Sequence, residues 1–161
     1  MIEIGALDKA TILHLSMRES ADKVFVINGE KTHFKLREFQ SKDGADEVLV
    51  CAGLVRLLEN IRLITGQPVR INSAYRTADH NAKVGGSPKS QHLVGKAADI
   101  VVGVGHNNVG NALKVAWLAS QLGANGIGVY KTFTHVDVRD YRSYWDETGQ
   151  NLIFMQKFNY E

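Results

Sequence analysis

The sequence predicts an α+β domain in which a small antiparallel sheet is flanked by helices. Three observations support this fold class: amphipathic helical segments, short apolar strands bounded by glycine or proline, and a hairpin signal near the amino terminus. The chain has 161 residues, of which 44% are hydrophobic and 22% charged. That length and composition are typical of one compact globular domain, so we treat residues 1–161 as a single unit.

The amino-terminal elements are expected to be a short helix and a hairpin. Residues 7–15 place apolar side chains at helical spacing, with Asp8 near the start. Residues 24–27 and 32–34 flank Asn28-Gly29, a strong signal for a tight hairpin turn.

The longer elements follow in the order helix, strand, loop, strand, helix and two strands. A helix is expected over residues 47–65, where apolar side chains recur every three or four positions and Gly66 provides a stop. Residues 74–96 contain Gly85-Gly86 and Pro88 and are expected to be mostly loop, with one helical turn. A loop of that length inside a compact domain is itself an indication of function. The remaining expected elements are strands at 69–73, 97–102, 126–130 and 133–139 and a helix at 108–122.

Charge and apolar runs exclude several classes of partner. The formal net charge is only +2, too balanced for nucleic acid or a membrane surface to be the main partner. No stretch approaches the roughly 18 apolar residues of a membrane helix, and the amino terminus has no signal-peptide pattern. We therefore expect synthesis in the cytoplasm without a signal peptide, unless a leader has been removed. The single cysteine, Cys51, lies in an apolar run and is expected to be a buried structural thiol.

Two groups of residues carry candidate chemistry. His92 ends the glycine-rich loop, and Asp99 opens an otherwise apolar strand, where a carboxylate is costly to bury unless it is paired or binds a metal. His135, Asp137 and Arg139 alternate along the last strand and therefore point to one face. Two histidines and one aspartate form a reasonable three-ligand zinc set that leaves the fourth position for water. A metal-free hydrogen bond between His92 and Asp99 is the alternative.

The motifs together resemble a known family. They are Ser73-Ala74-Tyr75-Arg76-Thr77, His80 to Gly86, Ser90-Gln91-His92 through Asp99, and His135-Val136-Asp137-Val138-Arg139. This set is similar to the zinc D-alanyl-D-alanine carboxypeptidases, a family that includes phage L-alanyl-D-glutamate endopeptidases and shares its metal core with hedgehog signalling domains. The resemblance runs from about Phe34 to Trp145. It implies a hedgehog-like fold with a catalytic core at 34–145 and an amino-terminal extension at 1–33.

The resemblance also implies roles for individual residues. His92, Asp99 and His135 match the zinc ligands. Arg76 matches an arginine that holds the substrate's carboxylate or carbonyl, a task suited to a planar fork of donors. Ser90 matches a serine near the metal that is expected to hydrogen-bond the substrate, and Tyr75 is also expected to contribute to substrate binding.

One departure concerns the general base. Many family members carry an acid three residues before the last ligand, where this chain has Thr132. Asp137 is the nearest carboxylate and could act as the base or orient His135. A third arrangement, in which Asp137 binds zinc and His135 is the base, also remains open.

The implied function is zinc-dependent hydrolysis of peptide bonds in bacterial peptidoglycan, by a carboxypeptidase or an endopeptidase. A wall-cutting enzyme without a signal peptide resembles a phage endolysin, which we expect to be a monomer that reaches the wall after a separate lysis protein releases it. A bacterial wall-remodelling enzyme whose leader has been trimmed is the alternative. A zinc-stabilised wall-binding or structural module without peptidase activity is the alternative, supported by the missing acid at Thr132.

Overall fold

The computed structural model describes residues 1–105 and 107–150. Its strands and helices are, in chain order, β1 (Ile2–Ile4), β2 (Ile12–Ser16), α1 (Met17–Ser20), β3 (Val24–Ile27), β4 (Glu30–Lys35), β5 (Glu47–Cys51), α2 (Ala52–Thr65), β6 (Val69–Ser73), α3 (Ala78–Lys83), β7 (Ala97–Val102), α4 (Val109–Gln121), β8 (Gly126–Val129), β9 (Thr134–Asp137) and β10 (Ser143–Asp146). Two short 3₁₀ helices, Leu36–Phe39 and Gln91–Val94, complete the described elements.

The strands form three sheets. The largest has five strands in the order β10-β8-β9-β7-β6, and the others have the orders β1-β3-β4 and β2-β5. Three of the four strand pairs in the largest sheet are antiparallel, and β10 pairs with β8 in parallel. The predicted α+β class is confirmed, but the sheet gains an edge strand, β10, that we did not expect.

The prediction of a helix over residues 7–15 is wrong, because residues 12–16 form β2. This strand pairs antiparallel with β5, from Ile12 opposite Cys51 to Ser16 opposite Glu47. The carboxylate of Asp8 accepts the backbone N–H groups of Ala10 and Thr11, as in a turn. Pairing with a distant strand therefore overrides the helical spacing of a segment too short to form a stable helix by itself.

The helix expected over residues 47–65 begins five residues late, at Ala52. Residues 47–51 form β5, in which Val48 and Val50 are fully buried and Leu49 is partly buried. The β-branched side chains of Val48 and Val50 suit a strand. The predicted stop is correct, since Gly66 ends α2 in the left-handed conformation at φ 63°.

The five-stranded sheet packs one face on the hydrophobic core. Ile100, Ile127 and Val136 are fully buried there, and α2 and α4 cover them. Cys51 is buried, as expected. Among the residues that the structure describes, no helix is both long and apolar enough to cross a membrane.

Candidate metal centre and cleft

One row of paired residues crosses the five-stranded sheet and places the site. The register aligns Ser73 with Asp99, Asp99 with His135, His135 with Gly128, and Gly128 with Trp145. Directly paired residues project from the same face of a sheet. Asp99 and His135 are therefore neighbours because β7 pairs with β9, although 36 residues separate them in sequence.

The third residue, His92, comes from the loop rather than from the sheet. It lies in the 3₁₀ helix Gln91–Val94, where the Ser90 hydroxyl accepts the His92 backbone N–H at 3.2 Å. The His92 carbonyl accepts the backbone N–H of Arg76 at 3.1 Å. These bonds fasten the loop beside the end of β6 and hold the imidazole, whose residue is 3% exposed, above the sheet.

The three side chains meet at one oxygen. Asp99 Oδ1 lies 3.3 Å from His92 Nε2 and 3.0 Å from His135 Nδ1. All three residues are buried, and their candidate ligand atoms lie within 4.8 Å of one another. The structure thus brings together the three residues that the sequence singled out as metal ligands.

The donor chemistry of this cluster fits a cation. His92 Nδ1 lies 2.6 Å from the carbonyl oxygen of Ala74, and His135 Nε2 lies 2.7 Å from Asp137 Oδ2. Each contact requires a proton on that nitrogen, since the oxygens can only accept. A neutral imidazole then presents a lone pair at its other nitrogen, so two lone pairs and a carboxylate oxygen face one another. Three converging acceptors require a positive charge between them, either a proton or a metal ion.

Electrostatics of the metal-free cluster agree with this requirement. Burial by itself would raise the pKa of Asp99, but hydrogen bonds from His135 and His92 outweigh it, and the pKa lies below its usual range. Burial would lower the pKa of His135, but hydrogen bonds to Asp137 and Asp99 raise it. The cluster therefore stabilises positive charge at the point where the three side chains meet.

Asp137 lies behind His135 and is fully buried. Besides His135, it binds the Arg139 guanidinium through two bonds, at 2.8 Å from Nε to Oδ1 and 2.7 Å from Nη2 to Oδ2. Burial opposes ionisation of the Asp137 carboxyl, but the hydrogen bonds from His135 and Arg139 lower its pKa to about 2. Both oxygens are occupied by donors, and Asp137 does not line the cleft. These contacts suit the orienting role that the sequence left open for Asp137.

Two glycines of β8 leave room for this arrangement. A Cβ at Gly126 would collide with the Asp137 carboxylate, and a Cβ at Gly128 would lie 2.5 Å from the Trp145 indole. Trp145 can therefore lie beside His135, with ring centroids 4.9 Å apart and an interplanar angle of 48°.

Arg76 reaches the cluster from the end of β6. Its Nη2 lies 3.4 Å from Asp99 Oδ2, its Nε donates to Ser73 Oγ at 3.1 Å, and its Nη1 donates to Asn81 Oδ1 at 3.3 Å. Asn81 is 3% exposed and also donates to the carbonyl of Ser87 at 2.9 Å. A Cβ at Gly86 would collide with Asn81, so the glycine lets the loop close over this contact. The loop and its buried asparagine thus hold the guanidinium beside the candidate metal site.

A cleft of about 540 Å³ opens above the cluster. Its charged and aromatic walls are Arg76, Lys89, His92, Asp99, Tyr130, Phe133, His135, Arg139, Tyr141 and Trp145. Among the lining residues that the structure describes, Asp99 is the only carboxylate, against three cationic side chains. The cleft is therefore suited to a ligand that carries negative charge and apolar groups.

Tyr130 offers a hydroxyl in this cleft. The indole N–H of Trp145 donates to Tyr130 Oη at 3.0 Å. Because an indole nitrogen can only donate, the hydroxyl accepts in that bond and keeps its own proton for another partner. Burial raises the pKa of Tyr130, and the charge of Asp99 adds to that rise. The group therefore stays a hydrogen-bond donor at neutral pH.

The remaining sequence expectations differ in outcome. Ser90 lines the cleft as expected, but Tyr75 packs in the hydrophobic core and does not reach the cleft walls. Thr132, at the position of the family acid, is exposed in the turn between β8 and β9. Sequence reasoning missed Tyr130 and Asn81 as site residues. The alternation of polar residues that pointed to His135 has no counterpart around Tyr130, and Asn81, although it lies in the family-like stretch from His80 to Gly86, was given no role of its own.

Comparison with known proteins adds one match. A protein-family model described as Peptidase M15 matches residues 30–137, which is 108 of the 161 residues. The matched range contains the His92, Asp99 and His135 cluster. No curated protein matches the chain.

Proposed function

Because this chain belongs to the M15 peptidase family of metallopeptidases, we propose that it hydrolyses peptide bonds in bacterial peptidoglycan with the help of zinc. The resemblance noted in the sequence is confirmed at the level of the family, which implies a hedgehog-like fold. The wall substrate and the identity of the metal are proposals. The observation that carries them is the meeting of His92, Asp99 and His135 around one point.

His92 Nε2, Asp99 Oδ1 and His135 Nδ1 would hold the metal. Two imidazoles and one carboxylate are a ligand set that zinc accepts in peptidases, and each imidazole is oriented through its other nitrogen by an oxygen. When bound, zinc is a Lewis acid that polarises a peptide carbonyl and makes water a competent nucleophile near neutral pH.

Arg76 and Tyr130 are placed to assist at the substrate carbonyl. The Arg76 guanidinium is held by Ser73 and Asn81 next to Asp99, and the Tyr130 hydroxyl has a proton to donate. Donors fixed before the reaction stabilise the charge that develops on a carbonyl oxygen, because they need no reorganisation. Lys89 adds positive charge along the cleft, which favours peptides with free carboxylates, as wall stem peptides have.

Asp137 acts in this proposal as a positioning residue. It keeps the proton on His135 Nε2, which leaves Nδ1 free to bind the metal. Arg139 neutralises its charge and fixes its plane.

A wall-binding or structural module without peptidase activity is the second candidate. The observation in its favour is that Asp99 is the only carboxylate among the described cleft walls, so no separate acid occupies the place of a general base. In this case zinc would stabilise the fold, and the cationic cleft would bind wall peptide without cutting it.

Digestion of purified peptidoglycan with and without a chelator separates these candidates. The peptidase predicts that amino groups are released and that EDTA stops the release, and mass spectrometry of defined muropeptides then identifies the bond. His92→Ala should lose both zinc and cleavage, whereas His14→Ala, a control whose side chain is 69% exposed, should keep both. If the protein binds the wall but releases no amino groups with or without the chelator, the wall-binding module is favoured. Cleavage by His92→Ala would contradict the proposed site.

The biological setting is also a proposal. We propose a monomer that reaches the wall during phage lysis. Nucleic acid and membranes play no part in this proposal, because the net charge is only +2 and the cleft suits an acidic peptide.

A further inference from the structure

A second cavity, of about 470 Å³, lies away from the candidate metal centre. Its walls come from the amino-terminal segment, the first turns of α2, and the segments that follow α4 and β9. Arg139 is the single described residue that lines both this cavity and the metal cleft. The cavity is therefore a separate site that the proposed peptidase reaction does not use.

The walls of this cavity are strongly cationic. Four basic side chains line it, and the one acidic side chain among its described walls is Asp140. The basic residues are Lys9, Arg56, Lys96 and Arg139, of which Arg139 is already paired with the buried Asp137. Asp140 is 95% exposed and lies 4.0 Å from Lys96, so solvent screens most of its charge. Cationic groups that converge on a concave surface attract and concentrate anions.

Arg56 is the least satisfied of these cations. Its Nη1 is buried without a hydrogen-bond partner in the described part of the chain. Asp8 attracts Arg56 through charge, and its Oδ1 accepts the backbone N–H groups of Ala10 and Thr11. A guanidinium nitrogen that is buried without an acceptor is costly. An acceptor inside the cavity would remove that cost.

The amino-terminal wall is held in place by the fold. A Cβ at Gly53 would lie 2.5 Å from the Lys9 carbonyl oxygen, so the glycine lets this segment pack directly on α2. The Cys51 thiol donates to the same carbonyl at 3.4 Å, and Ala52 N donates to Thr11 O at 2.9 Å. Arg139, at the other wall, is fixed by Asp137. The cationic groups therefore converge without a need for the backbone to rearrange.

We propose that this cavity is a binding site for an oxyanion of the phosphate or carboxylate type, with Arg56 as its principal ligand. A planar guanidinium binds two oxygens of such a group at once. Lys9 and Lys96 contribute charge from the two sides. The proposal stands apart from peptidase activity and is tested without a wall substrate.

The test is isothermal titration of the zinc-loaded protein with inorganic phosphate, and separately with succinate, at constant ionic strength. Arg56→Gln should weaken binding by about tenfold or more, since the loss of a charge-assisted hydrogen bond has an effect of that size. Arg62→Gln is the matched control, because it removes the same charge from the same helix at a residue that does not line the cavity. Its Kd should stay within about twofold of the unmodified protein, as expected for a surface substitution.

A second variant, Lys96→Gln, should also weaken binding several-fold, so the test does not depend on the Arg56 variant alone. Circular dichroism checks that both variants are folded. A preference for phosphate or for succinate identifies which oxyanion the cavity favours. The proposal is overturned if the unmodified protein shows no saturable binding of either ion. It is also overturned if Arg56→Gln and Lys96→Gln both bind as tightly as Arg62→Gln.

Discussion

Replacing Asp137 with asparagine separates the two roles that this residue could have. The substitution keeps the shape of the side chain but replaces one acceptor oxygen by a donor NH₂ group. If the amide oxygen takes the place of Oδ1 beside Arg139 Nε, the NH₂ group takes the place of Oδ2, where it opposes Arg139 Nη2 and forces His135 Nε2 to accept. The proton then moves to His135 Nδ1, the atom that lies 3.0 Å from Asp99 and would bind the metal. If the amide is turned round, its NH₂ group instead faces the guanidinium donors of Arg139.

The size of the effect follows from these contacts. Loss of a group that orients a ligand costs about 10- to 100-fold in metal affinity, which is about 1.4–2.7 kcal/mol. Breaking a buried ion pair destabilises a protein by about 3–5 kcal/mol. The value here should lie toward the lower end, because the Arg139 side chain keeps 14% exposure and ring contacts with Tyr141 and Trp145. A general base, in contrast, would change the rate by about 10²–10⁴-fold without weakening the metal.

The assay is competition between the protein and a chromogenic chelator for zinc, combined with steady-state hydrolysis of a muropeptide. Asp137→Asn should weaken zinc binding by the factor above. Asp140→Asn, whose side chain is 95% exposed, should change neither quantity appreciably. If zinc affinity stays within twofold of the unmodified protein while kcat falls strongly, the positioning argument is refuted and Asp137 is instead the general base.

Three further predictions concern the site. Gly126→Ala should destabilise the protein by about 1–3 kcal/mol in a denaturant titration, because the added Cβ collides with the Asp137 carboxylate. Gly5→Ala, whose Cβ makes an ordinary 3.4 Å contact, is the control, and equal stabilities of the two variants would contradict this packing argument. Tyr130→Phe should lower kcat on a muropeptide by about 10²-fold with zinc content unchanged, as expected for the loss of one oxyanion donor; an unaltered kcat would remove the hydroxyl from the mechanism. Zinc at 100 times its Kd should stabilise the protein by about 2.7 kcal/mol over the chelated form, and a thermal scan that shows the same Tm for both forms would argue against the metal site.

Local chemistry was sufficient to predict several parts of the fold. Asn28 and Gly29 were expected to turn a hairpin, and both have positive φ, 52° and 79°. Turn residues of this kind have few alternatives, because most side chains resist that conformation. The strands expected at 69–73 and 97–102 also rested on local sequence pattern, and they are confirmed as β6 and β7.

Pairing between distant segments was beyond local reasoning. Residues 12–16 and 47–51 lie in segments that apolar spacing assigned to helices, and their mutual pairing makes them strands. The edge strand β10 also depends on a partner, because it forms against β8. Short segments have little conformational preference of their own, so tertiary contacts decide them.

The site shows the same division. The sequence by itself singled out candidate metal ligands, because an aspartate in an apolar strand is costly to bury unless it is paired or binds a metal, and because the family resemblance matched His92, Asp99 and His135 to zinc ligands. Only the tertiary structure decided that the three meet, since Asp99 and His135 depend on the register of β7 with β9 and His92 on the loop contacts beside β6. It also decided the position of Asp137, whose two oxygens are both occupied by donors in a fully buried place. The physical reason is that residue type sets what a side chain can bind, whereas its protonation, orientation and access to substrate depend on neighbours brought in from distant parts of the chain.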